Sequence, residues 1–386
     1  MDIKDIRIEF EGDGLTKYGL FALLAWFLKD IMELEKRCRI VTVKRKRNRN
    51  KEKNINRRKS AFPAQKMCVG IVASILLGVK RFERINNLLH DEVRVANLVG
   101  MERFFDCTTA RNFINTFQSW HLSQLDHVNT DILRDFGESF RQDFPVLDID
   151  MTTHSQNRGK PCYQWSVGFI RDEIISQILS KGNTHCSTKF KEIVEDVKKK
   201  LGGKNIIIRA DGGYLSGEML DYVVEEDLQI VVVSKFDYIT AQKENEIDWS
   251  TWFEYDKDTR LLDAGEANVV SKCKHKFRVI LVEKKQEKIK IKKRKEYIYY
   301  AIVARLNNPS DPSAIYEFYH QRQTIENFFK ESKNPFNSSK MPSQKFRANE
   351  AYLNLITIAY NCFGIFKKTI CQKSGRENLL VQLRIS

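Results

Sequence analysis

Residues 145 to 234 alternate between strand-like and helix-like segments, and this order constrains the fold more than any other feature of the chain. Three β-rich runs come first, and a helical segment, a strand, a second helical segment and a last strand follow. The strand-like runs are Val146–Thr152, Tyr163–Ile170, Glu173–Ile178, Asn205–Asp211 and Gln229–Ser234, and the helical segments are Ser187–Lys200 and Ser216–Glu226. Strands that alternate with helices favour parallel pairing. The order β-β-β-α-β-α-β therefore predicts an α/β fold with a mixed sheet.

Acidic residues lie in or directly after two of these strands. Asp148 and Asp150 share one face of the first strand, because side chains alternate along a strand. Asp211 ends the fourth strand and precedes Gly212 and Gly213, which permit close approach of backbone or ligand. Open α/β sheets place their sites at the carboxyl ends of strands. We therefore expect Asp211 and one acid of the first strand in a functional site.

A charged helix is predicted further along the chain. Asp311 can cap it, Pro312 suits its first position and Pro335 ends it. At about 100° per residue, four side chains fall within one sector of this helix. They are Tyr319, Arg322, Glu326 and Lys333. A Glu between two basic groups suits a metal ligand beside nucleic-acid phosphates, although an exposed face with ion pairs between neighbouring turns has the same pattern.

Charge points to a polyanionic partner. The chain has a formal net charge of +15, which favours nucleic acid over a membrane, since no basic amphipathic helix stands out. Residues 44–59 carry ten Lys or Arg against one Glu, and we interpret them as a phosphate-binding arm. The apolar runs near residues 20–28 and 71–79 are too short to span a bilayer. The eight cysteines form no Cys-x-x-Cys pair, which is typical of a cytoplasmic protein.

The first 143 residues are predicted to be mostly helical. Gly100 and the segment Asp106–Phe117, with Thr109, Arg111 and Asn112 near its start, favour a DNA-binding helix-turn-helix. A plain helical bundle has the same apolar spacing. Residues 351–367 form a long apolar helix that we expect to back the sheet.

Residues 237–300 are longer than the connection that a minimal sheet requires, so we expect a β-rich insertion. Residues 284–295 carry eight basic residues, and Lys288, Lys290 and Lys292 alternate onto one face of a strand that can bind DNA. Trp249 and Trp252 can stack on unpaired bases. Packing in a small core of the insertion is the alternative for both rings.

The spacing Tyr-x2-Arg-x3-Glu-x6-Lys at 319–333 resembles the signature helix of DDE transposases from bacterial insertion sequences. Asp150-Met-Thr152 is similar to the family's first Asp-x-Thr motif, and Arg209-Ala-Asp211-Gly-Gly-Tyr resembles its second Asp motif. The resemblance implies an RNase H-like core with Asp150, Asp211 and Glu326 as catalytic, metal-binding acids. Asp148 remains the alternative first acid.

The resemblance also implies the chemistry. Mg²⁺ or Mn²⁺, as two ions, suits three carboxylates, with Asp150 bridging the ions and Asp211 and Glu326 completing one site each. Arg322, Lys333 and Tyr319 would contact DNA. The activity would be cut-and-paste transposition of double-stranded DNA with inverted terminal repeats, through a hairpin intermediate. A homodimer in a synaptic complex would carry it out, and no membrane would be involved. A nuclease without strand transfer and an inactive DNA-binding relic are the alternatives.

The predicted domain organisation has five parts, and the protein is expected at the bacterial nucleoid in the cytoplasm. The parts are a helical DNA-binding region 1–143 with the basic arm 44–59, the first core part 144–236, the β-rich insertion 237–300, the second core part 301–372 with the signature helix, and a short tail 373–386.

Overall fold

The computed structural model describes residues 18–19, 21–43, 62–156, 160–182, 184–243, 246–271, 273–285, 297–308, 311–333, 336, 338 and 341–371. The basic arm 44–59, the predicted strand with Lys288, Lys290 and Lys292, and the tail 373–386 lie outside these residues. The chain divides into two compact units. A helical unit comprises the described parts of Met1–Glu138, His154–Lys160 and Phe329–Ser386, and a sheet unit comprises Ser139–Thr153 and Pro161–Phe328. The predicted domain boundaries remain predictions.

One nine-stranded sheet, ordered β3-β2-β1-β4-β5-β9-β8-β7-β6, organises the second unit. Its strands are β1 Val146–Gln156, β2 Lys160–Ile170, β3 Glu173–Lys181, β4 Ile207–Ala210, β5 Gln229–Ser234, β6 Phe253–Asp256, β7 Thr259–Ala267, β8 Phe277–Lys285 and β9 Tyr297–Arg305. The pairs β1–β4 and β4–β5 are parallel. The pairs from β5 through β9 to β6 are antiparallel. The prediction of an α/β fold with a mixed sheet is confirmed.

Local sequence accounts for the first hairpin and for the helices beside the parallel strands. β2 and β3 join through Arg171 and Asp172, whose φ angles of 52° and 64° match a tight primed turn. The helices of the sheet unit are α8 Phe190–Lys200, α9 Gly217–Glu225, α10 Phe236–Lys243, α11 Pro312–His320 and α12 Gln323–Lys333, the last of which extends past Phe328. Ser216, the first residue of the predicted helical segment, caps α9, because its side chain accepts a hydrogen bond from the Met219 amide.

The strands of the predicted insertion continue the same sheet. Alternate residues of β7, β8 and β9 turn inward, where they pack with β5 and with one face of α11. This cluster contains Val231, Leu261, Ile280, Val282, Ile302, Ala304, Ile315 and Tyr316. The shared core fixes the outer strands and α11 to each other by burying apolar surface on both sides.

The predicted single charged helix is wrong in one respect, because the chain forms two helices there. Asp311 precedes α11 without a side-chain capping bond, and Pro312 takes the first helical position. Between α11 and α12, the Arg322 amide donates a hydrogen bond to the carbonyl oxygen of Tyr319, and the Arg322 carbonyl oxygen accepts one from the Ile325 amide. Both bonds join residues three apart, as in a turn, rather than four apart, as in an α-helix. The buried Arg322 side chain bonds to the sheet, which a straight helix with an exposed charged face would not permit.

The helical unit is built from two long helices and several short ones. They are α1 Phe21–Trp26, α2 Leu34–Arg37, α3 Ala64–Leu76, α4 Glu83–Leu88, α5 Val93–Leu98, α6 Cys107–Ile114, α7 Ser119–Phe136 and α13 Phe346–Cys371. A π-helical turn, Phe27–Ile31, extends α1. We expected α13 to back the sheet, and it packs against α3 and α7, where Asn361 bonds to Asn129 at 2.8 Å.

The helix-turn-helix interpretation fits this unit poorly. Residues 99–106 separate α5 from α6, which is about twice the three- to four-residue turn of that motif. Phe104 and Phe105 of this connection are buried. The segment is therefore part of a helical bundle, which was the alternative prediction. Within the residues that the structure describes, no helix is long and apolar enough to cross a membrane.

Candidate active site

Asp150 and Asp211 are brought side by side by the parallel pairing of β1 and β4. Ile149 pairs with Ala210. Asp150 is the next residue of β1, and Asp211 directly follows the end of β4. Asp211 accepts a hydrogen bond of 2.9 Å from the Gly213 amide. A Cβ atom on Gly212 would lie 3.1 Å from the carbonyl oxygen of Val233 on β5. A larger residue at this point would therefore crowd the β5 backbone, and glycine fits the close approach without a shift.

Asp150 is a largely buried carboxylate in contact with a cation. Its side chain is 15% exposed, and its Oδ2 lies 2.8 Å from Nη2 of Arg322. Its Oδ1 accepts a hydrogen bond of 2.7 Å from the Met151 amide. Burial raises the pKa of Asp150 to about 6, the charges of Asp211 and Glu326 add to the rise, and Arg322 opposes it. The like-charge effect indicates that the three acids share one electrostatic environment.

Arg322 lies between two of these acids. Its Nη2 reaches Asp150 and is 3.5 Å from the carbonyl oxygen of Ile149, and its Nη1 is 3.9 Å from Oε1 of Glu326. Burial would lower the pKa of Arg322, but the neighbouring carboxylates outweigh it and the pKa rises. Its buried Nε has no hydrogen-bond partner among the described residues. The guanidinium therefore acts as a counter-charge inside the acidic site.

Glu326 is presented by α12 on the solvent side. Ile325 and Phe328 are buried, and Phe328 packs edge-on against Trp165 and beside Phe169 of β2. These contacts fix the helix on the sheet, while the Glu326 side chain remains 58% exposed. A side chain held in this way can move its carboxylate without unpacking the helix.

Asp148 has a different environment from Asp150, although both lie on the same face of β1. It pairs with Arg209 of β4 in the strand register, and both of its oxygens accept hydrogen bonds from that guanidinium, at 2.8 and 2.7 Å. Arg209 also donates to the carbonyl oxygen of Phe318 and lies over its ring. Burial raises the pKa of Asp148 in spite of Arg209. The bidentate, buried pair occupies both carboxylate oxygens.

The pair of Asp148 and Arg209 was not predicted from the sequence. The signal was present in the two motifs themselves, since Asp148-Ile-Asp150 and Arg209-Ala-Asp211 have the same two-residue spacing. When β1 and β4 pair in parallel at that register, Asp148 lies opposite Arg209 and forms an ion pair. Two residues further along each motif, Asp150 and Asp211 come together.

The two other predicted residues of the charged face differ in their surroundings. Tyr319, near the end of α11, is half-buried, and burial raises its pKa, with the charges of Asp211 and Glu326 adding to the effect. Lys333 is the last residue of α12.

The two predicted stacking residues are exposed to different extents. Trp249 begins a short 3-10 helix and is 41% exposed. Trp252 is half-buried, with the guanidinium of Arg260 5.7 Å from its ring centre. Arg260 is in turn bonded to the buried Glu283 of β8. The structure therefore leaves Trp249 accessible to a ligand and places Trp252 in an ordered stack.

Arg111 of the helical unit lies on α6, where it forms an ion pair with Glu83 of α4. Its side chain is 38% exposed. The ion pair links the two short helices. It also occupies the Arg111 guanidinium, which was predicted to bind DNA.

The donor set of the site suits a hard divalent cation. Among the described residues, no three His, Cys, Asp or Glu side chains converge closely enough to hold a metal ion. The acids nevertheless offer carboxylate oxygens, the ligands that Mg²⁺ and Mn²⁺ prefer. Burial and, to a smaller extent, the charges of Asp211 and Glu326 raise the pKa of Asp150, and a bound cation would favour its charged form. The residues present therefore fit such an ion in chemistry.

The family described as "Transposase DDE domain group 1" has a sequence model that matches residues 2–385. No curated protein matches the chain.

Proposed function

The chain belongs to the DDE transposase family, domain group 1, and from this premise we propose that it cuts the ends of an insertion sequence and joins them to target DNA. One observation carries the proposal. Asp150 and Asp211 lie next to each other on two paired strands, and Arg322 contacts both Asp150 and Glu326. Three acids linked in this way are the parts that phosphoryl transfer by this family needs.

The sheet supports an RNase H-like core within this proposal. The elements follow one another as β-β-β-α-β-α-β along the chain and pair in the order β3-β2-β1-β4-β5, with β1, β4 and β5 parallel. This arrangement is compatible with the RNase H-like core that the resemblance implies. The acids then stand at the first strand, at the end of the fourth and on a helix that follows the outer strands.

Asp150, Asp211 and Glu326 would hold two Mg²⁺ or Mn²⁺ ions. When bound, such ions supply stabilisation for the attacking and leaving oxygens of an in-line displacement. Asp148 is not assigned to them, because both of its oxygens already bond to Arg209.

The remaining residues of the charged face position the acids and the DNA. Arg322 holds Asp150 and balances its charge, and it contacts the adjacent phosphate when the DNA is bound. Tyr319 and Lys333 contact the DNA backbone. Water first nicks the element end, and the freed 3′-hydroxyl attacks the opposite strand, which forms a hairpin and releases the flanking DNA. A second water opens the hairpin and regenerates the 3′-hydroxyl, which then attacks target DNA. A homodimer in a synaptic complex on inverted terminal repeats, at the bacterial nucleoid, completes the proposal.

A strand-transfer assay tests this function. Duplexes that carry candidate ends, taken from inverted repeats in the DNA beside the gene, are incubated with the protein and Mg²⁺ or Mn²⁺. We expect nicked, hairpin and joined products. Cleavage without joined products would favour a metal-dependent nuclease, and binding without cleavage would favour an inactive relic.

The two basic runs should dominate the salt dependence of DNA binding. Neutralising four basic residues in 44–59, or four in 284–295, should flatten the slope of log affinity against log salt by roughly 0.9 for each lost phosphate contact. Fluorescence anisotropy on duplex DNA at several salt concentrations measures the slope. An unchanged slope in both variants would mean that these runs only keep the protein soluble.

Trp249 should act on an extruded base at the cleaved end. Trp249→Ala should remove about 1–3 kcal/mol of base stacking, so that nicking persists and the hairpin-dependent step slows. Phe253→Ala, a neighbouring exposed aromatic residue at 37%, is the matched control and should leave both steps unchanged. Trp252→Ala should instead lower the melting temperature, because that ring packs on Arg260. Selective slowing in Trp252→Ala alone would reverse the assignment of the two rings.

A further inference from the structure

A groove of about 1130 Å³ opens in the helical unit, and Asp150, Asp211 and Glu326 do not line it. It lies along one side of α6, at the start of α7 and beside the residues that precede α13. Its lining includes Asn112, Thr116, Gln118, Trp120, His121 and Lys345, and none of its described lining residues is acidic. A recess that presents amides, an indole and a lysine without a carboxylate suits a ligand with both polar edges and negative charge.

Fixed contacts hold the walls of the groove. Asn115 of α6 accepts a hydrogen bond of 2.6 Å from Ser343, which ties the segment before α13 to α6. Phe117 packs edge-on against Phe113 and forms part of the floor. Thr42 donates its amide to Gln124 of α7 and accepts a bond from the same side chain. The groove is therefore a built feature of the fold.

Trp120 is the most exposed ring in the groove. It is 52% exposed, and its ring centre lies 3.5 Å from that of His121, at a tilt of 34°. One face of the indole is therefore supported by an imidazole, and the ring remains accessible. This arrangement is a platform on which a further flat ring can stack.

His121 beneath this platform has a hydrogen-bond donor without an acceptor. It is 4% exposed, and its Nδ1 accepts a bond of 2.9 Å from the Gln118 amide. The proton of the neutral ring is therefore on Nε2, which is buried and has no partner among the described residues. Burial lowers the pKa of His121, which keeps the ring neutral. A ligand acceptor that reached this unpartnered donor would satisfy it.

We propose that this groove binds unpaired nucleotides of a DNA strand, with a base stacked on Trp120, its edge bonded to Asn112 and the adjacent phosphate held by Lys345. The inference rests on the proposed function for its ligand class. Asn112 is exposed, and amide side chains bond to the donor and acceptor edges of bases. Trp120 can stack only on a base whose face is free of its neighbours, which excludes a regular duplex. A concave recess also admits a projecting nucleotide better than the convex surface of a duplex.

The test compares single-stranded and duplex DNA. A labelled oligothymidine and a duplex of the same length are titrated with the full-length protein at about 0.3 M salt, where phosphate contacts contribute less. Trp120→Ala should weaken binding to the single strand by roughly 5- to 150-fold, the range expected for one stacked base. Affinity for the duplex should change less than about 2-fold. Asn112→Asp should also weaken binding to the single strand, because it places a negative charge beside the phosphate.

Val93→Ala is the matched control, since Val93 is an exposed apolar residue of the same unit at 47% and does not line the groove. It should bind both probes as the parent does. If Trp120→Ala lowers the melting temperature, Trp120→Phe keeps a stacking ring and should retain most of the affinity for the single strand. Equal affinity of Trp120→Ala and the parent for the single strand would overturn the proposal, and so would an equal loss on both probes.

Failure of this inference is distinguishable from failure of the proposed function. Asp150→Asn, which should lack cleavage, should bind the oligothymidine as the parent does, because Asp150 does not line the groove. Single-strand binding that depends on Trp120 would therefore stand even if no strand transfer occurred. If Trp120→Ala left both strand transfer and single-strand binding unchanged, the proposed role of the groove would be wrong and the proposed function would stand.

Discussion

Replacing Asp150 by Asn, Asp211 by Asn or Glu326 by Gln should each abolish DNA cleavage while binding to the element ends persists. Each change keeps the shape of the side chain and removes a charge that a divalent cation needs. Even residues that only support metal ligands cost 10–100-fold when they are changed, so we expect a loss of more than about 100-fold in each variant. Cleavage of labelled duplex ends and a gel-shift assay measure the two properties separately.

Glu317→Gln is the matched control for these variants. Glu317 is an exposed acid of α11 that accepts a hydrogen bond of 2.9 Å from Tyr255 and does not contact the site acids. It should cleave at the parent rate. Full activity of Glu326→Gln would contradict the proposed function itself, because the acid that α12 supplies would then be dispensable.

The same variants should separate catalysis from stability. The pKa of Asp150 is about 6 in the folded chain against 3.8 ordinarily, so the folded state binds more protons between those values and the parent loses stability as pH rises through that window. Asp150→Asn removes this loss, and the guanidinium of Arg322 keeps Glu326 as a neighbouring negative charge. Without divalent cations, its melting temperature should equal or exceed that of the parent at pH 7, and the difference should shrink towards pH 4. Added Mg²⁺ should stabilise the parent more than the variant, because a ligand stabilises only the fold that binds it.

Asp148→Asn should have the opposite effect, with a large loss of stability and little loss of activity per folded molecule. The change leaves the buried guanidinium of Arg209 without its counter-charge. Breaking a buried pair by removing one partner costs about 3–5 kcal/mol, which urea denaturation would measure as a lowered free energy of unfolding. Cleavage, corrected for the folded fraction, should stay close to that of the parent.

A double variant tests whether the loss comes from the broken pair. Asp148→Leu together with Arg209→Met replaces both charges by apolar groups, and such replacements are often neutral or stabilising. Its stability should therefore exceed that of Asp148→Asn, and the cycle through the single variants gives the coupling energy. A stable but inactive Asp148→Asn would mean that Asp148, rather than Asp150, is the metal-binding acid.

The inner half of the sheet could be predicted from the sequence because its signals are local. The predicted strand Gln229–Ser234 has the bounds of β5, and the predicted helical segment Ser216–Glu226 differs from α9 by one residue at each end. The pairing of β5 with β9 depends on residues far apart in the chain, which periodicity does not report. The break before α12 was missed for a related reason, since helical spacing cannot show that Arg322 turns inward to Asp150.

The candidate site could be predicted only in part. The motifs favoured Asp150, Asp211 and Glu326, but they left Asp148 as an alternative to Asp150, because both lie on one face of β1. The distinction depends on Arg209, whose bond to Asp148 follows from the register of two strands. The two tryptophans likewise differ in exposure, because Arg260 lies over the ring of Trp252 while Trp249 remains exposed. Which neighbour covers each ring cannot be read from the sequence.

The continuity of the nine-stranded sheet has a consequence for how the chain folds during synthesis. β5 ends at Ser234, but its partner β9 begins at Tyr297, so one edge of β5 stays unpaired while the intervening strands leave the ribosome. An unpaired edge is a template for pairing with another chain, and distant pairings of this kind form slowly. Arg322 and Glu326 follow later still. A nascent chain that already contains Asp150 and Asp211 therefore has neither the counter-charge nor the third acid, and translation itself delays the appearance of a complete site.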